Sequence, residues 1–218
     1  MKPSPPMPHR ARSRPAAPEP SARNRLLDAA VEMFERKGYA ATSVREIVEH
    51  AGLTKPALYY YFQSKEGLLL AALELAAGEL ERLLTDVADA PGSARSRLAV
   101  LCGRLAAGSR SRASLVRVAN ATFFSPRGSV PPFDFRVFDR IVSRHLRRIV
   151  ADGVAASEIR RETARSAVHA MLAVITLAIG QHIDGRAEVL GPKDMQLLVD
   201  LVFDGAGPTP RLAKGESS

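Results

Sequence analysis

Two helix starts stand close together in this chain, and a glycine separates them. Ser43-Val44-Arg45-Glu46 has the form of a capping box, with the Ser43 hydroxyl placed to accept from the Glu46 amide and the Glu46 carboxylate to reach back. Val44, Ile47, Val48 and Ala51 then recur at i, i+3, i+4 and i+7, one apolar stripe on one helix. Gly52 follows where a left-handed residue stops a helix. Thr54 is a second N-cap candidate, and Pro56 falls in the first turn, where an amide hydrogen has no intrahelical partner to lose. The spacing therefore predicts two brief helices joined by a tight turn. This is the helix-turn-helix plan, in which the second helix enters a DNA major groove and the first crosses the backbone.

The flanks supply support for such a pair. Upstream, Leu27, Ala30, Val31 and Phe34 form a stripe at helical spacing, opened by Ser21 or Asn24 and closed by Lys37-Gly38. Downstream, Ser64-Lys65-Glu66 caps a long Leu/Ala/Glu-rich helix from about 65 to 85. Within the second short helix, Leu58 and Phe62 are four apart and point into a shared small core, while Lys55 and Tyr59 share the opposite side. At about 100° per residue, Tyr59, Tyr60 and Tyr61 fan over most of the circumference, so at least one ring faces outward. Rings with hydroxyl tips beside Lys55 suit an anionic, partly apolar partner such as a DNA backbone with its thymine methyls.

These residues resemble the tetracycline-repressor (TetR/AcrR) family of bacterial transcription regulators. The likeness runs through Leu27, Ala30, Phe34, Gly38-Tyr39, Thr42 to Ile47, Ala51 to Thr54, Leu58 to Phe62 and Ser64-Lys65-Glu66 with Leu68, and covers about residues 21 to 70. It implies an all-α protein in which an N-terminal three-helix helix-turn-helix domain is joined by a long helix to a larger C-terminal helical domain for ligand binding and dimerisation. By position, Ser43 matches a backbone-contacting N-terminus and Arg45 a place that touches a base in some members. Thr54 stands at the entry to the recognition helix. Lys55, Pro56 and Tyr59 match positions facing base edges, Tyr60 and Tyr61 positions that touch phosphate, and Lys65 a phosphate-binding lysine at the start of the fourth helix. The Lys65 amide adds a physical argument, since anions are favoured at a helix N-terminus.

Charge does not carry this expectation. From 21 to 67, seven Lys/Arg stand against six Asp/Glu, so a basic footprint there must come from placement. The overall net charge of +8 resides chiefly in residues 95 to 150, where twelve arginines face only Asp134 and Asp139. Residues 1 to 20 hold seven prolines with Arg10, Arg12 and Arg14, and read as a disordered basic arm. No apolar run is long enough for a membrane span or shaped like a secretory signal, so the expected location is cytoplasmic. Further helical patterns recur at about 93 to 107, 111 to 122, 132 to 151, 161 to 182 and 191 to 204, with almost no strand signal. The expected division is arm 1 to 20, DNA-binding head 21 to 67, effector-binding and dimerisation body 68 to 204, and flexible tail 205 to 218.

Residues 167 to 180 are apolar on nearly every side, so one face meets the core and another a second surface. A second copy of the chain is the expected partner. Ala173, Leu177 and Gly180 on this helix, with Met195, Leu198, Val199 and Val202 on the last, are the candidate interface of a homodimer whose two-fold axis implies a palindromic operator in double-stranded DNA. Phe123, Phe124, Phe133, Phe135 and Phe138 cluster around a proline-bearing loop. Of these, Phe123, Phe124 and Phe138, with Cys102, His145, Met171 and Thr176, are candidates to line a small-molecule effector pocket, and the arginine surplus suggests an anionic effector. The histidines are too scattered for a metal site, and no cofactor is implied. No Ser/His/Asp arrangement or phosphate loop points to an enzyme. A repressor released by an effector is expected, with a helix-turn-helix DNA-binding protein lacking an effector as the alternative.

Overall fold

The computed structural model describes residues 21–107, 110–126, 128–180 and 191–206, and every regular element among them is helical. The arm expected over 1 to 20 lies outside the described residues, as does the tail from 207 onward. The helices are α1 (Ala22–Lys37), α2 (Val44–His50), α3 (Lys55–Phe62), α4 (Lys65–Ala88), α5 (Ala94–Ala107), α6 (Arg110–Phe123), α7 (Arg136–Ala155), α8 (Ala164–Gly180) and α9 (Pro192–Ala206). Helix α4 outruns the expected end at 85, and α9 continues through Ala206 where a tail was expected from 205. Helix α7 starts at Arg136 rather than 132, because Pro131 and Pro132 hold the preceding segment outside the helical region.

The first four helices are set by their ends. Ser21 opens α1 by accepting from the Asn24 amide at 3.3 Å. The capping box of α2 is complete: Ser43 Oγ accepts from the Glu46 amide at 3.2 Å, and Glu46 Oε2 accepts from the Ser43 amide at 2.9 Å. An ion pair from Lys37, at the end of α1, holds the same carboxylate. At the far end of α2, Gly52 takes φ +61°, and Arg25 of α1 donates to the Ala51 carbonyl at 2.6 Å, so α1 closes both termini of α2. Helices α3 and α4 meet even more closely. A Cβ on Gly67 would lie 2.0 Å from the Phe62 carbonyl oxygen, so only glycine lets the α4 N-terminus pass the last turn of α3.

Two apolar clusters follow from these helices. The head cluster joins Leu26, Phe34, Ile47, Leu58 and Phe62 to Leu68, Leu69, Leu73 and Ala76 of α4, and takes in Leu115 and Val118 of α6. The body cluster gathers Leu84, Val87, Leu98, Leu101, Leu146, Ile149, Met171, Met195, Val199 and Phe203. The boundary expected between 67 and 68 thus falls inside one continuous helix whose first half belongs to the head's core. Helix α6 also bridges the two clusters' neighbourhoods, with Arg117 bound to Glu35 of α1 at 2.6 Å. Among the described residues, no helix is long and apolar enough to cross a membrane.

Two glycines of α4 separate the close approach from simple helix flexibility. Gly67→Ala should destabilise the protein by about 1–3 kcal/mol, because a backbone oxygen cannot swing aside. Gly78→Ala, where nothing lies within 4 Å, should instead stabilise by about 0.5–1 kcal/mol in the same chemical denaturation experiment. The capping box gives a pH signature. Lys37 and Ser43 hold the Glu46 carboxyl down at about 2, well below its ordinary 4.5. Its stabilisation is therefore complete above about pH 4.5 and fades as pH falls through about 2. Thermal melts of wild type and Glu46→Gln should differ at pH 6 and converge towards pH 2.

Candidate nucleic-acid interface and interior cavity

Helix α3 is anchored by two side chains and presents the rest. Leu58 and Phe62 are buried in the head core, each burial contributing roughly 1.5–3 kcal/mol, and they fix the rotation of the helix. Tyr59, Tyr60 and Tyr61 are left 51%, 80% and 41% exposed, with Lys55 and Pro56 on the surface beside them. Tyr60 and Tyr61 meet edge to face, their centroids 4.9 Å apart, which orders two rings that solvent alone would leave free. No acidic residue occurs in α3. The nearby acids of the first two helices are matched within the head: Glu46 by Lys37, Glu32 by His50 at 2.8 Å, and Glu49 by Arg45 at 2.7 Å.

Thr54 occupies the N-cap position but makes no side-chain cap bond, so its exposed hydroxyl and the first amides of α3 are not closed by that residue. Ser43 is exposed but committed to its capping box. Arg45 of α2 is exposed yet engaged with Glu49. Lys65, expected to bind phosphate at the start of α4, has its ammonium engaged within the head. Its Nζ donates to the Tyr39 and Thr42 carbonyls, both at 2.9 Å, and sits 4.2 Å from the centroid of the Tyr39 ring. Partial burial pushes its pKa below the usual lysine value. The physical reason is the loop between α1 and α2, whose inward-facing carbonyls need donors and find one in this lysine. Sequence reasoning also passed over Arg23, whose guanidinium lies 5.1 Å over the Phe62 ring at the end of α3.

A cleft of about 240 Å³ opens between α4, α6, α7 and α8. Its walls are helix faces at regular spacing: Ala76, Glu79, Leu80 and Leu83 from α4, Val116, Ala119, Asn120 and Phe123 from α6, and Phe135, Phe138, Asp139 and Val142 at the start of α7. Leu172, Ile175 and Thr176 of α8 close it, with Leu105 and Leu115 beneath. Of the expected pocket residues, Phe123, Phe138 and Thr176 line this space. Cys102 and Met171 do not, because both are fully buried in the body core, where desolvation pushes the Cys102 thiol up to about 12. His145 is buried against Glu81, 3.0 Å from its carboxylate, and Phe124 is 71% exposed, stacked edge-on against Phe123. The spacing i, i+3, i+4, i+7, repeated on three helices, is the sequence signal that would have found Leu80, Ala119, Asn120 and Asp139. No cationic side chain lines the cleft among the described residues, so the described arginines of that surplus do not face it.

The candidate pairing surface is likewise rotated from expectation. Met195 and Val199 are fully buried within their own chain, and Leu198 and Val202 are half-buried. Ala173 and Leu177 of α8 are exposed, while the surroundings of Gly180 lie outside the described residues. On α9 the exposed apolar residues are Leu197 and Leu201, one turn apart, at 62% and 69%. The body core sets the rotation: Met195, Val199 and Phe203 are buried in it, and Arg95 of α5 lies over Phe203 and binds Asp200 at 3.2 Å and Asp204 at 2.6 Å at its edge.

Residues 26–72 match the family model described as bacterial regulatory proteins, tetR family. Over 73 residues the chain is 36% identical to the uncharacterized HTH-type transcriptional regulator YerO of Bacillus subtilis, a stretch covering 32% of this chain and only 25% of that protein. The whole fold is similar to a tetR-family regulatory protein from Rhodococcus RHA1, at 23% identity and TM-score 0.63, covering 87% of this chain and 99% of that one. A TetR/AcrR-family transcriptional regulator from Thermobifida fusca is similar at 28% identity and TM-score 0.59, over 84% of this chain and 97% of that one. The head of this chain thus matches the tetR family model over residues 26–72, and its all-helical fold is similar to those of TetR-family transcription regulators.

Proposed function

We propose that this regulator works as a two-fold dimer that holds a palindromic operator through α3 and is released from it by a small molecule in the cleft, which makes it a repressor. The observation that carries the DNA reading is the split of α3, with Leu58 and Phe62 buried, three tyrosines and Lys55 outward, and no acid among them. A helix that merely closed a core would present short polar groups on that side. Tyr59, Pro56 and Lys55 face base edges in this reading, Tyr60 and Tyr61 reach phosphates, and Ser43, Arg45 and Thr54 contact the adjoining strand. The exposed pairs Ala173 with Leu177 and Leu197 with Leu201 favour a second copy as the covering surface. Two-fold pairing sets the recognition helices about one DNA turn, or a multiple, apart.

Release would act through α4 and α6. Both line the cleft and both enter the head's core, so a ligand that prefers one tilt of these helices shifts the heads by the ratio of its affinities for the two forms. A DNA-binding regulator without effector is the second reading, and the size of the cleft favours the first.

Selection of bound fragments from random duplexes should return an inverted repeat, and recovery of unrelated sequences would refute the palindromic reading. Tyr59→Ala should lose about 1–3 kcal/mol of operator affinity and relax preference at one base position. Normal binding by that variant would show α3 to be docked wrongly. Glu49→Gln frees Arg45 and removes a charge that repels phosphate, so affinity should rise about threefold in low salt. Unchanged affinity would place Arg45 and Glu49 away from DNA.

A further inference from the structure

The geometry points to a cationic ligand, a molecule with an apolar and partly aromatic body inside the cleft and an ammonium group against the Asp139 carboxylate. This rests on the cleft being the effector site. The described lining holds two carboxylates, Glu79 and Asp139, the Asn120 amide, and no lysine, arginine or histidine. Glu79 is already matched across one turn by Arg82 at 2.5 Å. Asp139 is different. The two arginines that flank it on α7 turn the other way, Arg136 donating to Asp134 at 2.7 Å and Arg140 at 3.3 Å, so their guanidinium groups are committed to that neighbour. Asp139 is left as an exposed carboxylate at the rim of the cleft, in the first turn of α7, with no side-chain cation paired to it among the described residues.

The walls favour the same sign. Phe123, Phe135 and Phe138 bring three rings to the cleft, and ring faces attract cations. Phe135 and Phe138 stack with centroids 6.1 Å apart, while Phe123 meets Phe135 edge-on at 5.2 Å, so the ring cluster is held in place before any ligand arrives. An anionic group would be desolvated against a like charge with no donor cation to receive it, which raises its cost of entry. A cavity of about 240 Å³ accommodates on the order of ten non-hydrogen atoms, scaled from cavities that hold benzene. That describes an arylalkyl or alkyl amine of modest size.

The test is a calorimetric titration of the full chain at pH 7.5 with three matched probes: 4-phenylbutylamine, 4-phenylbutanol and 4-phenylbutyrate. The amine should bind about tenfold tighter than the alcohol and the carboxylate weakest, as expected for a partly desolvated ion pair beside aromatic rings. Asp139→Asn should bring the amine down to the level of the alcohol while leaving alcohol binding unchanged, which also shows that the variant is folded. If the carboxylate binds as well as the amine, or if Asp139→Asn leaves the amine's advantage intact, the charge assignment is overturned while the cleft remains a ligand site. If none of the three probes binds, the ligand assignment and the effector reading of the cleft both fall.

Discussion

The ammonium of Lys65 is the fastening on which the arrangement of the head depends. Half-buried, it donates to two carbonyls of the loop between α1 and α2, and it sits over the Tyr39 ring of that same loop. A cation held this way is costly to displace, because its removal would strand two inward carbonyls as well as the charge. Lys65 is also the first residue of α4. One side chain thus ties the start of the long helix to the far side of the head, while Gly67 lets the same helix press against the end of α3. Helices α1, α2 and α3 are therefore carried by α4 as one body.

On the proposed reading of the cleft as an effector site, that rigidity would give it leverage. A binding site far from the DNA face matters only if something stiff spans the gap, and α4 spans it, with Leu68 to Ala76 in the head and Ala76 to Leu83 along the cleft. Helix α6 runs beside it as a second strut. Its Leu115 and Val118 pack in the head's core, its Arg117 grips Glu35 of α1, and its Val116, Ala119, Asn120 and Phe123 face the cleft. A change in the separation of these two helices must be felt at both ends, since close-packed interiors shift between discrete arrangements more readily than they deform.

The local architecture of the head was legible because it is written in short-range chemistry. Caps at Ser21, Ser43 and Ser64, the stop at Gly52 and the proline in α3 each act within a few residues, and each appears where the sequence places it. The outward tyrosines were legible too, since three consecutive rings cannot all be buried on one helix. What escaped was everything decided by a distant partner. Lys65 looks like a free cation until the carbonyls of residues 39 and 42 are brought to it. The hydroxyl of Thr54 looks like a cap until the helix forms without using it. Met195 and Val199 look like an outer stripe because α9 carries apolar residues on two faces, and only the packing of the body core around Met195, Val199 and Phe203 decides which face turns inward, with the Arg95 pairs to Asp200 and Asp204 at its edge. The cleft residues were hidden for a related reason: a wall built from four helices leaves only an ordinary amphipathic rhythm in each.

The pairing of Arg45 with Glu49 bears on how such a head would travel along a chromosome. If Arg45 reaches DNA as proposed, its pairing with Glu49 would temper its attraction for an arbitrary phosphate. The pair would then open most readily where a base edge offers a better bidentate acceptor than the carboxylate does. Loose sliding over wrong sequence and arrest at the right one would then come from a single side chain changing hands.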